Sequence, residues 1–241
     1  MRIKKALITL IGIALLIIGG LAGSSIRKQS LIKQEQVSEL GTIERFAQQA
    51  KLKGERQVAI PAPSVEYPGS AKSYSLDAAL AEYSAVIAKP IEEKSQIYDS
   101  DEIVTWYKFR IINDLSKRDS PACPNCPIAD PPDDLLPLKG NEFVVAREGG
   151  SVEIDSIVVN MVSGGFPPLL LGQEYFLLVS RYPSGSAALC GGPIGVFTVT
   201  EDGALEPLNK EFHTIKENIR IRFNSSVSSL QEHIARKTVP Q

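Results

Sequence analysis

At 241 residues, with 43% hydrophobic and 22% charged side chains, the chain has the composition of an ordinary globular protein with one well-buried domain and appendages. A formal charge of −2 and a pI near 5.8 leave no basic footprint, and the Lys and Arg residues are spread along the chain, so nucleic acid is not an expected partner.

The first element is apolar. Arg2, Lys4 and Lys5 precede an uncharged run over residues 6–23, the layout of a signal peptide. As a helix the run would reach about 27 Å, close to the hydrocarbon thickness, so a retained anchor fits equally well. Small residues at Gly20, Ala22 and Ser24 allow cleavage, while Ser24 stands where a lipid-modified Cys would have to be. Residues 1–25 are therefore read as a signal peptide or membrane anchor with a cytoplasmic N-terminus. The remainder is expected to be extracytoplasmic, either single-pass or secreted, with the membrane as a partner through this segment.

Residues 26–72 read as a helical stalk and a Pro-rich linker. Leu31, Val37, Leu40, Ile43, Phe46 and Ala50 recur at near-helical spacing, Gly41 interrupts the pattern and Gly54 would end it. Pro61, Pro63 and Pro68 then mark extended chain. Ser75 is placed to cap a short helix with Asp77 in its first turn, leading directly into the apolar run Ala85, Val86, Ile87 and Ala88. Pro90 signals an edge or a bulge. The clearest period-two strand alternates Ile103, Thr105, Tyr107, Phe109 and Ile111 with Val104, Trp106, Lys108 and Arg110. Asp99, Asp101 and Glu102 before it fit a solvated turn better than a calcium loop, which would need its Gly and Glu at set positions.

Residues 114–139 form a polar, Pro-rich insertion. Residues 143–146 and 152–159 are expected to pair as a hairpin across Glu148, Gly149 and Gly150. The central stretch is 169–200, where Phe176 to Val179 is apolar on both faces and belongs in the middle of a core. A polar connection through Pro183, Ser184, Gly185 and Ser186 leads to a second strand over 196–200. In the tail, 204–241, Phe212, Ile215 and Ile219 favour a helix. Asn224, Ser225 and Ser226 break it and start a last helix carrying Val227, Leu230 and Ile234.

Little in this pattern carries chemistry. The three cysteines are Cys123, Cys126 and Cys190. A bridge from Cys123 or Cys126 to Cys190 would tie the insertion to the central strands. The CPNC segment also suits a thiol-redox or metal-handling site. Redox work needs an activated thiolate, usually at a helix N-terminus, and here Pro127 follows Cys126 in a Pro-rich loop. Zinc would need two more ligands, and only Cys190, His213 and His233 remain. His213 and His233 sit on expected surface helices. No G-x-S-x-G elbow or phosphate loop is present, so no catalytic, cofactor-binding or metal residue is assigned and no cofactor is expected.

A helix from Ser75 into Ala85-Val86-Ile87-Ala88-Lys89, a long alternating strand, Leu171-Gly172-Gln173-Glu174-Tyr175-Phe176-Leu177 and then Cys190 make an order of elements that resembles a known family. It is similar to the OB-type β-barrel of netrin modules and tissue inhibitors of metalloproteinases, as in bacterial extracytoplasmic proteins of similar layout. The resemblance covers about 75–200 and implies a mainly β fold with flanking α-helices, a five- or six-stranded OB-like β-barrel at 73–203. It does not bring the inhibitory device of those families, which is built on a mature N-terminal Cys, because no Cys precedes Cys123. The function expected is a non-enzymatic module that binds a protein or envelope component; the alternative is a thiol-redox or metal-handling protein using Cys123 and Cys126.

Overall fold

A computed structural model describes residues 41–62, 75–98, 100–116, 131–182, 184–210 and 214–238. In chain order the elements are α1 (Thr42–Leu52), β1 (Gln57–Pro61), α2 (Leu76–Glu82), β2 (Ser84–Tyr98), β3 (Glu102–Asp114), β4 (Glu142–Glu148), β5 (Gly150–Ile154) and β6 (Ile157–Val162). They continue with β7 (Tyr175–Arg181), β8 (Ser186–Leu189), β9 (Val196–Val199), β10 (Leu205–Pro207), α3 (Thr214–Phe223) and α4 (Val227–Thr238). The described chain is mainly β with flanking helices.

The strands form a seven-stranded sheet, ordered β10-β9-β7-β2-β3-β4-β8, and a three-stranded sheet, ordered β1-β6-β5. In the larger sheet β8 pairs in parallel with β4 and also returns to pair antiparallel with β7, Val179 opposite Leu189. Strand β2 belongs to both neighbours: its first residues pair with β7, Ser84 opposite Val179, and from Val86 to Tyr98 it runs against β3. The register between β2 and β3 slips after Pro90, where Ile91 is the extra residue, and again at Ile112 on β3. Pro90, lacking an amide donor, thus marks a bulge as its sequence position suggests.

Apolar patterning explains the layers. Val86, Ala88, Tyr107, Phe109, Phe143, Val145, Tyr175, Leu177 and Val179 point to one side of their strands and form the inner core. Phe109 stacks on Phe143 at 5.3 Å between ring centroids and meets Tyr175 edge-on at 6.5 Å. On the other side, Ala85, Phe176, Leu178 and Phe197 pack beneath Leu76 and Ala79 of α2, Ile215, Ile219 and Phe223 of α3, and Leu230 and Ile234 of α4. In the tail, set apart as 204–241 in the sequence reading, α3 and α4 therefore cover this core. Ser75 caps α2 as its sequence implies, its Oγ accepting the Ala78 amide at 3.2 Å.

A third core holds the smaller sheet to α1, with Ile43, Ala47, Ala50, Ile60, Ile103, Ile157, Val159 and Met161 buried together. This corrects the stalk-and-linker reading of 26–72 where it is described. The apolar stripe of α1 is buried against β6, and Gln57–Pro61, expected as linker, is a strand parallel to β6. The expected hairpin between 143–146 and 152–159 is also corrected. Strand β4 pairs with β3 and β8, while β5 turns back onto β6 through Asp155 and Ser156, at φ 50° and 67°. Two successive left-handed residues make the mirror-image turn that suits strand twist, so an Asp-Ser pair does what a glycine pair was expected to do. Gly149 and Gly150, at φ 86° and 145°, instead carry the chain from one sheet to the other.

Among the described residues no helix is long and apolar enough to cross a membrane. Residues 1–25, the anchor or signal of the sequence reading, lie outside the described residues.

Candidate functional site

The connection from β6 to β7 is held at several points by side chains and backbone of the core. From Ile157 to Gln173 the sequence contains no Asp, Glu, Lys or Arg. Phe166 and Leu169 plug the loop into the inner core, at 1% and 3% exposure, and three side chains from that core reach up to its backbone. Tyr107, on β3, accepts the Leu169 amide at 3.3 Å; Tyr175, opening β7, accepts the Leu170 amide at 2.9 Å. Arg147, on β4 and buried, donates its Nε to the carbonyls of Phe166 at 2.7 Å and Pro167 at 3.1 Å, with its guanidinium over the Phe166 ring. The far end is fixed by the Gly172 amide on the Pro90 carbonyl, 2.8 Å, and by Gln173 Nε2 on the Val199 carbonyl, also 2.8 Å.

Alternation along the strands puts these groups there. Tyr107 and Phe109 share the inward face of β3, and Arg147 follows Val145 on the inward face of β4, so all converge beneath the loop. Burial raises both tyrosine hydroxyls above their ordinary range, opposed for each by the amide it accepts, and for Tyr107 also by the Arg147 charge. What the loop presents outward is apolar: Leu170 is 65% exposed and Leu171 52%, flanked by exposed Pro167 and Pro168. In the sequence, residues 160–168 read as a Gly/Pro loop, and Leu169, Leu170 and Leu171 lead from it through Gly172 into the strand at 173–179. The signal for a loop was Pro167-Pro168 followed by Gly172, but nothing in the sequence separates the buried Leu169 from the exposed Leu170 and Leu171.

The cysteine reading fares differently. Cys190 is a free thiol, 2% exposed, in the turn after β8, packed with Phe176, Leu178 and Phe197. The expected bridge from Cys123 or Cys126 to Cys190 is not formed, because this side chain is spent as a small apolar filler under the helices. Burial, with Glu82 nearby, pushes its thiol up to about 12, the opposite of a reactive thiolate. Cys123 and Cys126 lie outside the described residues, as does His213. His233 on α4 sits beside Asp77 of α2, Nε2 to Oδ1 3.6 Å, and Arg222 of α3 closes on the same carboxylate at 2.8 Å. This group ties three helices together. Among the described residues no cluster of three His, Cys, Asp or Glu side chains is arranged to hold a metal ion.

Trp106 is core, 1% exposed, under a strap in which Leu135 and Leu138 cover Val104, Trp106 and Val144. Asp134 on that strap is paired with Lys94 of β2. Glu148, ending β4, is pushed up to about 7 by burial and then by Glu102, with Arg147 opposing. Its Oε1 is buried without a hydrogen-bond partner.

No family model, curated protein or solved structure matches the chain.

Proposed function

We propose that the chain is a non-enzymatic, extracytoplasmic binding module, tethered by residues 6–23 or secreted after their removal, in which an OB-like β-barrel presents the 164–172 loop to a protein or envelope component. The barrel reading is supported by the pairings β2-β3-β4-β8-β7 and back to β2, five strands with one parallel pair, which is the count of an OB fold. It agrees with the resemblance to netrin-type modules in the order of elements. The binding reading rests on one observation: Leu170 and Leu171 are exposed on a loop whose backbone is already fixed by Tyr107, Tyr175 and Arg147.

The physical argument concerns order. Fixing a backbone residue costs about 1–2 kcal/mol of conformational free energy. A loop ordered before binding spares its partner that cost, so exposed apolar surface there is converted into affinity more fully than on a floppy loop. The test is a photo-reactive side chain at position 171, irradiated in cells that make the full chain. A defined adduct that disappears in Leu170→Asp is expected. Adducts no different from those at exposed Ile221 of α3 would remove the loop as the binding surface.

A further inference from the structure

We propose that the face of β3, β4 and β8 beneath the 131–138 strap is a second binding site, which takes a neutral saccharide when the strap lifts. This site is separate from the 164–172 loop and does not depend on it. Among the described residues four buried side-chain polar atoms have no hydrogen-bond partner, and three of them are Trp106 Nε1, Ser186 Oγ and Glu148 Oε1. Their strands β3, β4 and β8 are neighbours in the larger sheet. Glu148 lies opposite Val104, two residues from Trp106, and Ser186 lies beside Val144. Paired residues share a face, so all three belong to the side of the sheet opposite Tyr107 and Arg147. Buried donors and acceptors are nearly always paired, and leaving them unpaired costs folding free energy. Three on one face are a set of bonds waiting for a partner.

The cover over them is lightly attached. Leu135 and Leu138 pack on Val104, Trp106 and Val144. The strap's own backbone bonds are local, the Leu135 amide to Pro132 and the Leu136 amide to Asp133. Among the described residues, its polar link to the sheet before Lys139 is the ion pair of Asp134 with Lys94, whose side chains are both exposed. Such pairs add little, and the strap can leave without breaking a strand ladder. Across the β3–β4 pair from Trp106, the small side chain of Ala146 is exposed and gives a way in.

The chemistry of the three atoms selects the ligand. An indole N–H only donates, a carboxylate accepts and a serine hydroxyl does both. A hydroxyl can accept from Trp106 while donating to Glu148, and a sugar ring carries several hydroxyls around an apolar C–H face that suits Val104, Val144 and the indole. Burial and Glu102 push Glu148 up to about 7, so it offers no fixed charge to an ammonium, and no three-ligand metal cluster stands among the described residues. A peptide strand would need a free backbone edge. Trp106 is paired on both sides, with Lys94 and Ala146, and Val144 with Lys108 and Ser186.

Trp106 is the chain's single tryptophan, so the site carries its own reporter. The experiment titrates the purified full chain, in a detergent without sugar headgroups, with cellobiose, maltose, chitobiose and mannobiose. A saturable red shift of Trp106 emission is expected with at least one of them. Asp134→Asn frees the strap and should tighten that binding about two- to fivefold, a gain that a merely structural ion pair would not give. Ser186→Ala loses a hydroxyl with no partner in the closed fold, so it should keep the parent's stability and bind about fivefold more weakly. No shift with any of the four disaccharides overturns the proposal. So does a shift whose affinity is the same in the parent and both variants.

Discussion

The two sheets follow different rules of burial. In the larger one, β2 and β7 are covered on both faces: Val86, Leu177 and Val179 face the inner core, and Ala85, Phe176 and Leu178 face the helices. In the smaller one β6 is covered on one face only, with Ile157, Val159 and Met161 beneath α1 while Val158 and Val162 face outward at 36% and 60% exposure. A strand buried on both sides cannot open without exposing two cores, whereas a one-faced sheet roofed by a single helix opens at the cost of one. The larger sheet should therefore set global stability, and the smaller should open first as a local unit.

The largest expected effect tests the first half of that statement. Phe109→Ala removes a fully buried ring that contacts Phe143 and Tyr175, and should cost about 3–5 kcal/mol in denaturant unfolding. Ile43→Ala, at 0% exposure in the smaller core, removes about 2–5 kcal/mol of packing by the same rule. Its loss should appear locally: faster amide exchange at Val159 and Met161, with Leu177 and Val179 protected as in the parent. Equal acceleration in both sheets would show that the two cores open together.

Gly150→Ala strikes the crossing between them. Gly150 holds φ 145°, and a Cβ there would overlap Thr105 Oγ1, which donates to the Gly149 carbonyl at 2.6 Å and meets Ser95 Oγ at 2.8 Å. Backbone strain and overpacking together predict a loss of about 1–3 kcal/mol. A melting temperature unchanged from the parent would mean that the crossing relaxes freely and that the sheets are less firmly joined than their geometry implies.

The same contrast explains what the sequence could disclose. Doubly buried strands read as unbroken apolar runs, so Ala85 to Ala88 and Phe176 to Val179 were recognisable as core from the pattern alone. The cap at Ser75 and the break at Asn224 to Ser226 are local events, and local chemistry predicts them. The three-stranded sheet was not legible because its partners are remote: nothing near Val58 announces that it will lie beside Val159. Two glycines at 149–150 resembled a hairpin turn more than Asp155-Ser156 did, and only the pairing of β4 with β8 displaces them from that role. Arg147 is the sharpest loss at the candidate site. An arginine in a strand reads as solvent-facing, and its burial becomes intelligible only when the Phe166 and Pro167 carbonyls are placed above it.

The smallest effect lies where the two sheets meet. Glu148 is the last residue of β4 before the Gly149–Gly150 crossing, on the face opposite Arg147, and Glu102 adjoins it from the start of β3. Burial and then Glu102 push its carboxyl up to about 7 from an ordinary value of 4.5. Between those two values the folded chain binds more protons at this site than the unfolded chain does. Stability from this group is therefore complete below about pH 4.5, falls as pH rises to about 7, and is flat above it. Partial exposure of the side chain screens the effect, so it should be minor beside the packing losses. Glu148→Gln keeps the shape and removes the titration, and should flatten this part of the profile, measured as denaturant midpoints from pH 5 to 8. If the joint is the weaker region, the parent's pH dependence will also appear in exchange at the Gly149 amide, bonded to Ile103, before it appears at Leu177. A slope that survives in Glu148→Gln would place the titrating group elsewhere and separate the joint's opening from its charge.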